Sequence, residues 1–471
     1  MSQTTNPNES SSASAATNQS TGTNQSTNPA RSTSAGAATN QNPIVGQPAS
    51  APTLTSRFDD ATTWARRAMS GTPGQMRVLA LLTIAVSLVF AVAAFSTFGA
   101  TDDALRRGGA NTSQLVRIQA IHTNLVRSDA DATNAFLVGG LEPADQRADF
   151  TSSLAQASRL IAEAARAQPA DGPALGALNS SVLTYASLIE QARAANRQAL
   201  PVGAQYLRVA SSGLRSDALP ILDALVKAND ARVSSEFDGA TSAAPLIAFG
   251  VLALLVLIGG MVWLSLRTHR YLNAPLAAAT AAVLVTLLVG SIALAAVASR
   301  VGQVRDGSYA ATLATATARI AAFDAKSNES LTLIARGSGS AFEKAWVASS
   351  KIVTDQSAAS ARLSSDAANM GALWAGYVKT HAQIRKADDG GQWEGAVAQA
   401  TGTGATSANA TFDAFDARSR AALTSSSRAA SDSLDAPRTW LSFAAWLGLL
   451  VGIAAAVSAW WGVSLRLEEY R

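Results

Sequence analysis

The chain contains no cysteine, which excludes disulfides, zinc–thiolate sites and thiol catalysis. Its three histidines, His122, His269 and His381, stand far apart, a poor basis for a metal cluster or a catalytic triad. Charged residues make up only 15% of the chain against 48% hydrophobic, a balance that fits a membrane protein better than a soluble enzyme. The net charge of +4 is small and spread out, so no nucleic-acid footprint is visible. Walker, Rossmann and nucleophile-elbow motifs are missing. The glycine-rich "GTGATS" at Gly402 follows no strand and reads as a turn. The expectation is a chain with no enzymatic activity, no cofactor and no metal.

What is abundant is apolar sequence in long runs. Val78–Phe98, Leu246–Leu266, Leu276–Ala298 and Leu441–Val463 each lack any ionisable residue. Each has about the 20 residues a helix needs to cross a bilayer. Arginine-rich short flanks set the orientation. Arg57, Arg66, Arg67 and Arg77 precede the first run, Arg267 and Arg270 follow the second, and Arg466 and Arg471 follow the fourth. Both termini and the short middle loop are therefore expected in the cytoplasm of a plasma-membrane protein in contact with lipid. Two long segments are expected outside.

The expected organisation is an all-α integral membrane protein. Residues 1–55, almost entirely Ser, Thr, Asn, Gln, Ala, Gly and Pro, read as a disordered cytoplasmic tail. Residues 56–75 read as a basic juxtamembrane helix, either a plain lead-in to the membrane or an interfacial helix that docks a partner. Spans occupy 76–99, 245–267, 276–299 and 440–464, with a cytoplasmic loop at 268–275 and a cytoplasmic end at 465–471. Segments 100–244 and 300–439 are expected to form two extracytoplasmic four-helix bundles. Their shared order suggests an internal duplication at a shift of roughly 195 residues. Tyr185 and Arg193 in "YASLIEQAR", for example, parallel Tyr377 and Arg385 in "YVKTHAQIR". The first helix is expected to begin near Thr112, with breaks at "VGGLEPAD", "QPADGP", "ALPVGA" and "SSGLRSD".

The stretch "LVRSDADATNAFLVGG" from Leu125 suggests a calcium loop, but the pattern fails. Counted from Asp129, such a loop needs glycine at position six and glutamate at twelve; Asn134 and Gly140 stand there. A helix fits better. Ile118, Ile121, Leu125, Ala132 and Phe136 share one face, with Asp131 and Asn134 expected toward solvent. Asp129 falls inside the apolar stripe with His122 beside it, and Asp324 recurs at the matching position of the second half. A buried carboxylate is costly without a partner, so an arginine or hydroxyl should meet it. Asp129, Asp324 and His122 are thus candidates for a polar core layer, either a register-fixing buried pair or a switchable layer coupled to signalling.

Gly139, Gly140, Glu142 and Arg336 mark a candidate distal surface for a ligand or partner. Gly108, Gly109 and Gly307, just outside spans one and three, mark either a hinge or a helix break where each bundle begins. Trp64, Arg66, Arg67, Arg267 and Arg270 are candidates for cytoplasmic coupling. Gly448 and Gly452 form a "GxxxG" in the fourth span, a pattern that can serve a homodimer or arise by chance in so small-residue-rich a span.

At "NLVRSDADATNAFLVGGLEP" the sequence resembles the first helix of the chemoreceptor-type four-helix-bundle sensory family. In particular it is similar to the tandem version found in actinobacterial GlnX-like four-span membrane sensors. The resemblance spans residues of roughly 76 to 464 in architecture and topology. It implies a transducer placed between a cell-surface amino-acid-binding lipoprotein and a cytoplasmic serine/threonine kinase or other effector. It carries no catalytic motif. Unlike chemoreceptors, this chain has no HAMP, methyl-accepting, kinase or cyclase segment after any span. A transporter accessory subunit and an envelope scaffold are the competing expectations. Spans free of proline and ionisable groups argue against transport.

Overall fold

The computed structural model describes residues 71–138, 142–268 and 273–468. Every regular element among them is helical. The four apolar runs lie on helices long and apolar enough to cross a membrane.

Helix α1 (Thr72–Val138) runs unbroken for 67 residues, about 100 Å at helical rise. It carries the first apolar run and then the helix with Asp129. Gly108 and Gly109 do not interrupt it, which corrects the expected start near Thr112 and the expected break there. Gly108 instead packs beside the Phe237 ring, with which an added Cβ would be in ordinary contact at 3.5 Å. Helix-favouring alanine and leucine on either side and the absence of proline beyond the first turn carry the helix through the pair. Three partners, running alternately down, up and down against α1, complete the first bundle. They are α2 (Ala144–Ala167), α3 (Gly172–Arg197), and a rod made of α4 (Val202–Gly213) and α5 (Leu219–Ala240). Helix α2 stops at the residues before Pro169, and α3 starts with Pro173 in its first turn.

Where "SSGLRSD" suggested a break, the backbone continues as a π-helical stretch, Leu214–Ala218. Pro220 explains it. Proline has no N–H to give Ser216, and its ring crowds that carbonyl, so the ladder widens by one residue rather than ending. The rod then reaches α6 (Ala244–Thr268), which holds the second apolar run.

Helix α7 (Ala274–Gln303) begins at an Asn273 cap, whose side chain accepts from the Leu276 N–H, and holds the third run. A second π-helical stretch, Val304–Tyr309, includes Gly307 and joins it to α8 (Ala310–Ile334). No proline accounts for this one. The second bundle continues with α9 (Ser340–Leu363), α10 (Met370–Asp389), α11 (Trp393–Thr401) and α12 (Ala408–Asp435). Helix α13 (Arg438–Glu468) carries the fourth run.

The apolar helices pack mainly as α1 on α6 and α13, and α7 on α6 and α13. Phe90, Ala94 and Phe98 meet Leu246, Leu294 and Leu441 in one continuous core. Gly448 and Gly452 face α1 of the same chain: a Cβ on Gly448 would lie 3.0 Å from that of Ala94, and one on Gly452 would collide with Ala91. The "GxxxG" therefore serves close packing of α13 on α1, and the sequence support it gave to a homodimer falls away.

The two bundles are fused side by side through α1 and α8. Ile118, Ile121 and Leu125 of α1 face the core of the first bundle. Val126, Ala130 and Leu137 of the same helix belong to the core of the second. Helix α8 is buried on almost its whole circumference. This overturns the expectation that Asp131 and Asn134 face water. Asn134 is buried and donates to Asn409 at 3.0 Å, and Asp131 is half-buried with Arg127 at 3.8 Å. A single amphipathic face was inferred, but α1 has two neighbours.

Candidate functional site: a polar bridge between two bundles

Asp129 and Asp324 do not pair within separate bundles; both are held by one arginine. Arg215 sits in the first π-helical stretch and donates from Nη1 to Asp129 Oδ2 at 3.0 Å. Its Nε donates to Asp324 Oδ1 at 3.0 Å, and its Nη2 to Ser327 Oγ at 3.1 Å. Asp129, 1% exposed, also accepts from Ser211 and Ser327 hydroxyls at 2.6 Å each and from Tyr185 at 3.4 Å. Asp324 accepts from Ser349 at 2.7 Å and Asn328 at 3.0 Å. The bridge thus joins α1, α3, the α4–α5 rod, α8 and α9.

Two carboxylates face one guanidinium, and the excess negative charge is met by hydroxyl and amide donors. That combination satisfies the requirement that buried charge be both paired and hydrogen-bonded. Burial alone would lower the Arg215 pKa, but Asp129 and Asp324 outweigh it and hold the guanidinium above its usual value. Burial, then the Asp129 charge, push the Tyr185 hydroxyl up, so it stays a neutral donor. His122 does not join Asp129. It is buried, lies 3.8 Å from Asp223 and is pushed down in pKa chiefly by burial, which favours a neutral ring.

The second π-helical stretch makes the reciprocal contacts. Arg305 reaches back to Asp238 at 2.8 Å and to the Ser234 carbonyl at 3.1 Å, while the Tyr309 hydroxyl donates to Asp230 at 2.6 Å. Each widened stretch therefore sends a cation across to the other bundle. Widened turns of this kind frequently occur at functional sites. Arg215, Arg305 and Tyr309 were missed from sequence because nothing local distinguishes them from surface residues of a helix.

A second buried cluster was also missed. Glu329, wholly buried, lies 2.8 Å from His381 Nδ1 and 3.0 Å from Lys326 Nζ. His381 Nε2 meets Glu343 at 3.2 Å, and its ring stacks on Trp346 at 3.6 Å. Burial opposes ionisation of Glu329, yet Lys326 and His381 outweigh it and lower its pKa to about 2. His381 is raised, its loss of solvation outweighed by hydrogen bonds to Glu329 and Glu343. Asp131 behaves in the opposite way: burial, against the partial compensation of Arg127, raises it to about 7.

Of the remaining candidates, Glu142 ion-pairs with Arg193 at 2.8 Å. Arg336 adopts a left-handed backbone (φ 41°) at the tip of the second bundle and lies over the Trp393 ring at 4.0 Å. These two belong to different tips and do not meet. Arg267 lies over Trp263 at 5.9 Å and reaches Gln75 at 3.4 Å. Trp64, Arg66, Arg67, Gly139, Gly140 and Arg270 lie outside the described residues.

Residues 104–238, which make up the first bundle from the middle of α1 to near the end of α5, match the family model described as actinobacterial sensor domain. This supports a sensing role for a multi-pass membrane protein. No curated protein and no solved structure matches the chain.

Proposed function

We propose that the protein is a non-enzymatic transmembrane sensor and signal transducer of the GlnX-like kind, built by internal duplication. Its two bundles stand outside the plasma membrane and its termini inside, as the basic flanks of the spans require. The bundles receive a small ligand or a ligand-loaded binding lipoprotein and pass the signal to a separate cytoplasmic partner such as a kinase. The observation that carries this reading is the unbroken passage of α1 from an apolar span into the polar bridge. A rotation or slide of α1 against the α4–α5 rod alters the bridge and the spans together, and small shifts of packed helices suffice for such switching. Spans without ionisable groups give a transport pathway no polar steps.

Cysteine-free sequence makes the test direct. In whole cells, a membrane-impermeant maleimide should label Leu183→Cys on the first bundle and Ile352→Cys on the second, both exposed. It should leave Leu266→Cys, at the inner end of α6, unlabelled until the cells are opened. Labelling of Leu266→Cys in intact cells would overturn the topology. Capture of a cell-surface binding protein by the full chain, in a manner that depends on that protein's ligand, tests the input.

A further inference from the structure

The first bundle holds a cleft of about 80 Å³ near its distal end, between α1, α2, α3 and α4. Its floor is apolar, formed by Phe136, Ile189 and Leu207. Its rim carries three guanidinium groups, those of Arg147, Arg193 and Arg197, and one lining carboxylate, Glu142. Arg193 is held between Glu142 at 2.8 Å and Glu190 at 2.7 Å, with its guanidinium over the Phe150 ring at 4.1 Å. Arg147 shares the same Glu190 at 3.5 Å. Among the described residues Arg197 has no ion pair. Three cations against two carboxylates leave a net positive charge at the rim of an apolar floor.

The second bundle shows what satisfies such an arrangement. Arg385 stands 192 residues after Arg193, and His381 the same distance after Ile189. There the cations are met by the chain's own carboxylates: Arg385 by Glu343, Asp388 and Asp389, and His381 by Glu329 and Glu343. The first bundle has an apolar side chain where His381 stands, and a cleft.

We infer that this cleft binds a small monocarboxylate, which supplies from outside the negative charge that the second bundle supplies from within. The volume is about half the ~150 Å³ that accommodates the six carbons of benzene, so it encloses about three non-hydrogen atoms, and with its open rim it admits a molecule the size of acetate. A longer molecule would place its carboxylate end there. The carboxylate meets the arginines in charge-assisted hydrogen bonds and the short alkyl part rests on Phe136 and Leu207. The position suits transduction. Ala132, in the cleft wall, lies one turn from Asp129 on α1, and Leu207 lies one turn from Ser211 on α4. An occupant wedges the two helices whose next turns hold the polar bridge. This inference rests on the sensor reading and adds the chemistry of its ligand.

The test uses the full chain in lipid nanodiscs, with sodium acetate and sodium propionate titrated against sodium chloride at equal ionic strength. Binding is followed by saturation-transfer NMR of the carboxylate protons and by the thermal midpoint. The wild type should show saturable binding of both carboxylates and none of chloride. Ala192→Leu fills the cleft while leaving every charge in place and should reduce binding at least ten-fold. Arg197→Gln, at an exposed position, should weaken it about five-fold with the melting temperature in chloride unchanged. If Ala192→Leu does not fold, Arg197→Gln decides alone. Absence of saturable binding in the wild type, or wild-type affinity in these variants, overturns the assignment. Failure here leaves the sensor reading standing if span separation still responds to changes at Arg215; loss of that response sinks the broader reading instead.

Discussion

Replacing Arg215 with methionine keeps an unbranched apolar stem of similar reach to the arginine's own and removes the guanidinium and its charge. Two carboxylates then lose the cation they share: Asp129, 1% exposed, and Asp324, whose side chain is 23% exposed. Breaking a buried ion pair from one side costs about 3–5 kcal/mol, because the remaining charge is stranded. Asp324 can recover some hydration at its exposure, whereas Asp129 cannot, so most of the cost belongs to Asp129. At about 2 °C per kcal/mol for a large domain, the thermal midpoint should fall by about 6–10 °C. Asp129→Asn alone also leaves Arg215 partly unpaired and should lower it. The double variant Arg215→Met with Asp129→Asn removes both charges and should regain at least about 2 kcal/mol relative to the sum of the singles. The assay is thermal unfolding of the full chain in one detergent, followed by far-ultraviolet circular dichroism. A fall of less than 2 °C for Arg215→Met, or simple additivity in the double variant, would refute the claim that the bridge is a coupled buried unit.

Three further outcomes are expected. The Asp131 carboxyl is raised to about 7 in the folded state, above its ordinary 3.8. Its effect on stability is therefore most favourable below about pH 4 and is lost as pH rises through about 7. Asp131→Asn should match the wild-type midpoint near pH 4 and exceed it above pH 7; an equal midpoint at pH 8 would contradict this. Glu329 is lowered to about 2, so its contribution is full above its unfolded value and fades as pH falls toward 2. His381 is raised, so its contribution is full below pH 6.5 and fades as pH rises through its folded value. Glu329→Gln should cost about 3–5 kcal/mol near pH 6 by stranding the buried Lys326 ammonium and leaving His381 with Glu343 alone. A neutral effect at that pH would count against the cluster. Gly452→Leu should disrupt packing of α13 on α1, because even a Cβ there meets Ala91. Disulfide cross-linking between cysteines placed in α1 and α13 should fall several-fold, and an unchanged yield would show that the two helices do not pack there.

The helical class and the four apolar helices were legible because composition and run length dictate them with no reference to distant contacts. Asp129 and Asp324 stood out for a related reason: a carboxylate inside an apolar stripe is conspicuous. Their common partner was not legible. Arg215 looks like any surface arginine until Pro220 widens the turn and aims it between two bundles. Asp131 lies elsewhere than expected because helical periodicity reports an apolar face, whereas α1 also buries a polar one toward α12, where Asn134 meets Asn409. Gly108 and Gly109 suggest a hinge or a helix break, yet the helix runs through both: Gly108 packs against Phe237, and the helix-favouring neighbours outweigh the pair's weak propensity. His381 and Glu329, 52 residues apart, carry no local sign of their contact.

The central claim is that the bridge between the bundles and the ends of the spans remote from it form one mechanical unit. Spin labels at Arg77→Cys on α1 and Ser464→Cys on α13, in nanodiscs, measure it directly by pulsed electron paramagnetic resonance. If the account holds, Arg215→Met shifts the distance distribution between the labels by about 1–2 Å or splits it into two populations, the scale of helix displacement known for such switches. An unaltered distribution, in a variant that remains folded, would show that what happens at Asp129 and Asp324 does not reach the other side of the membrane.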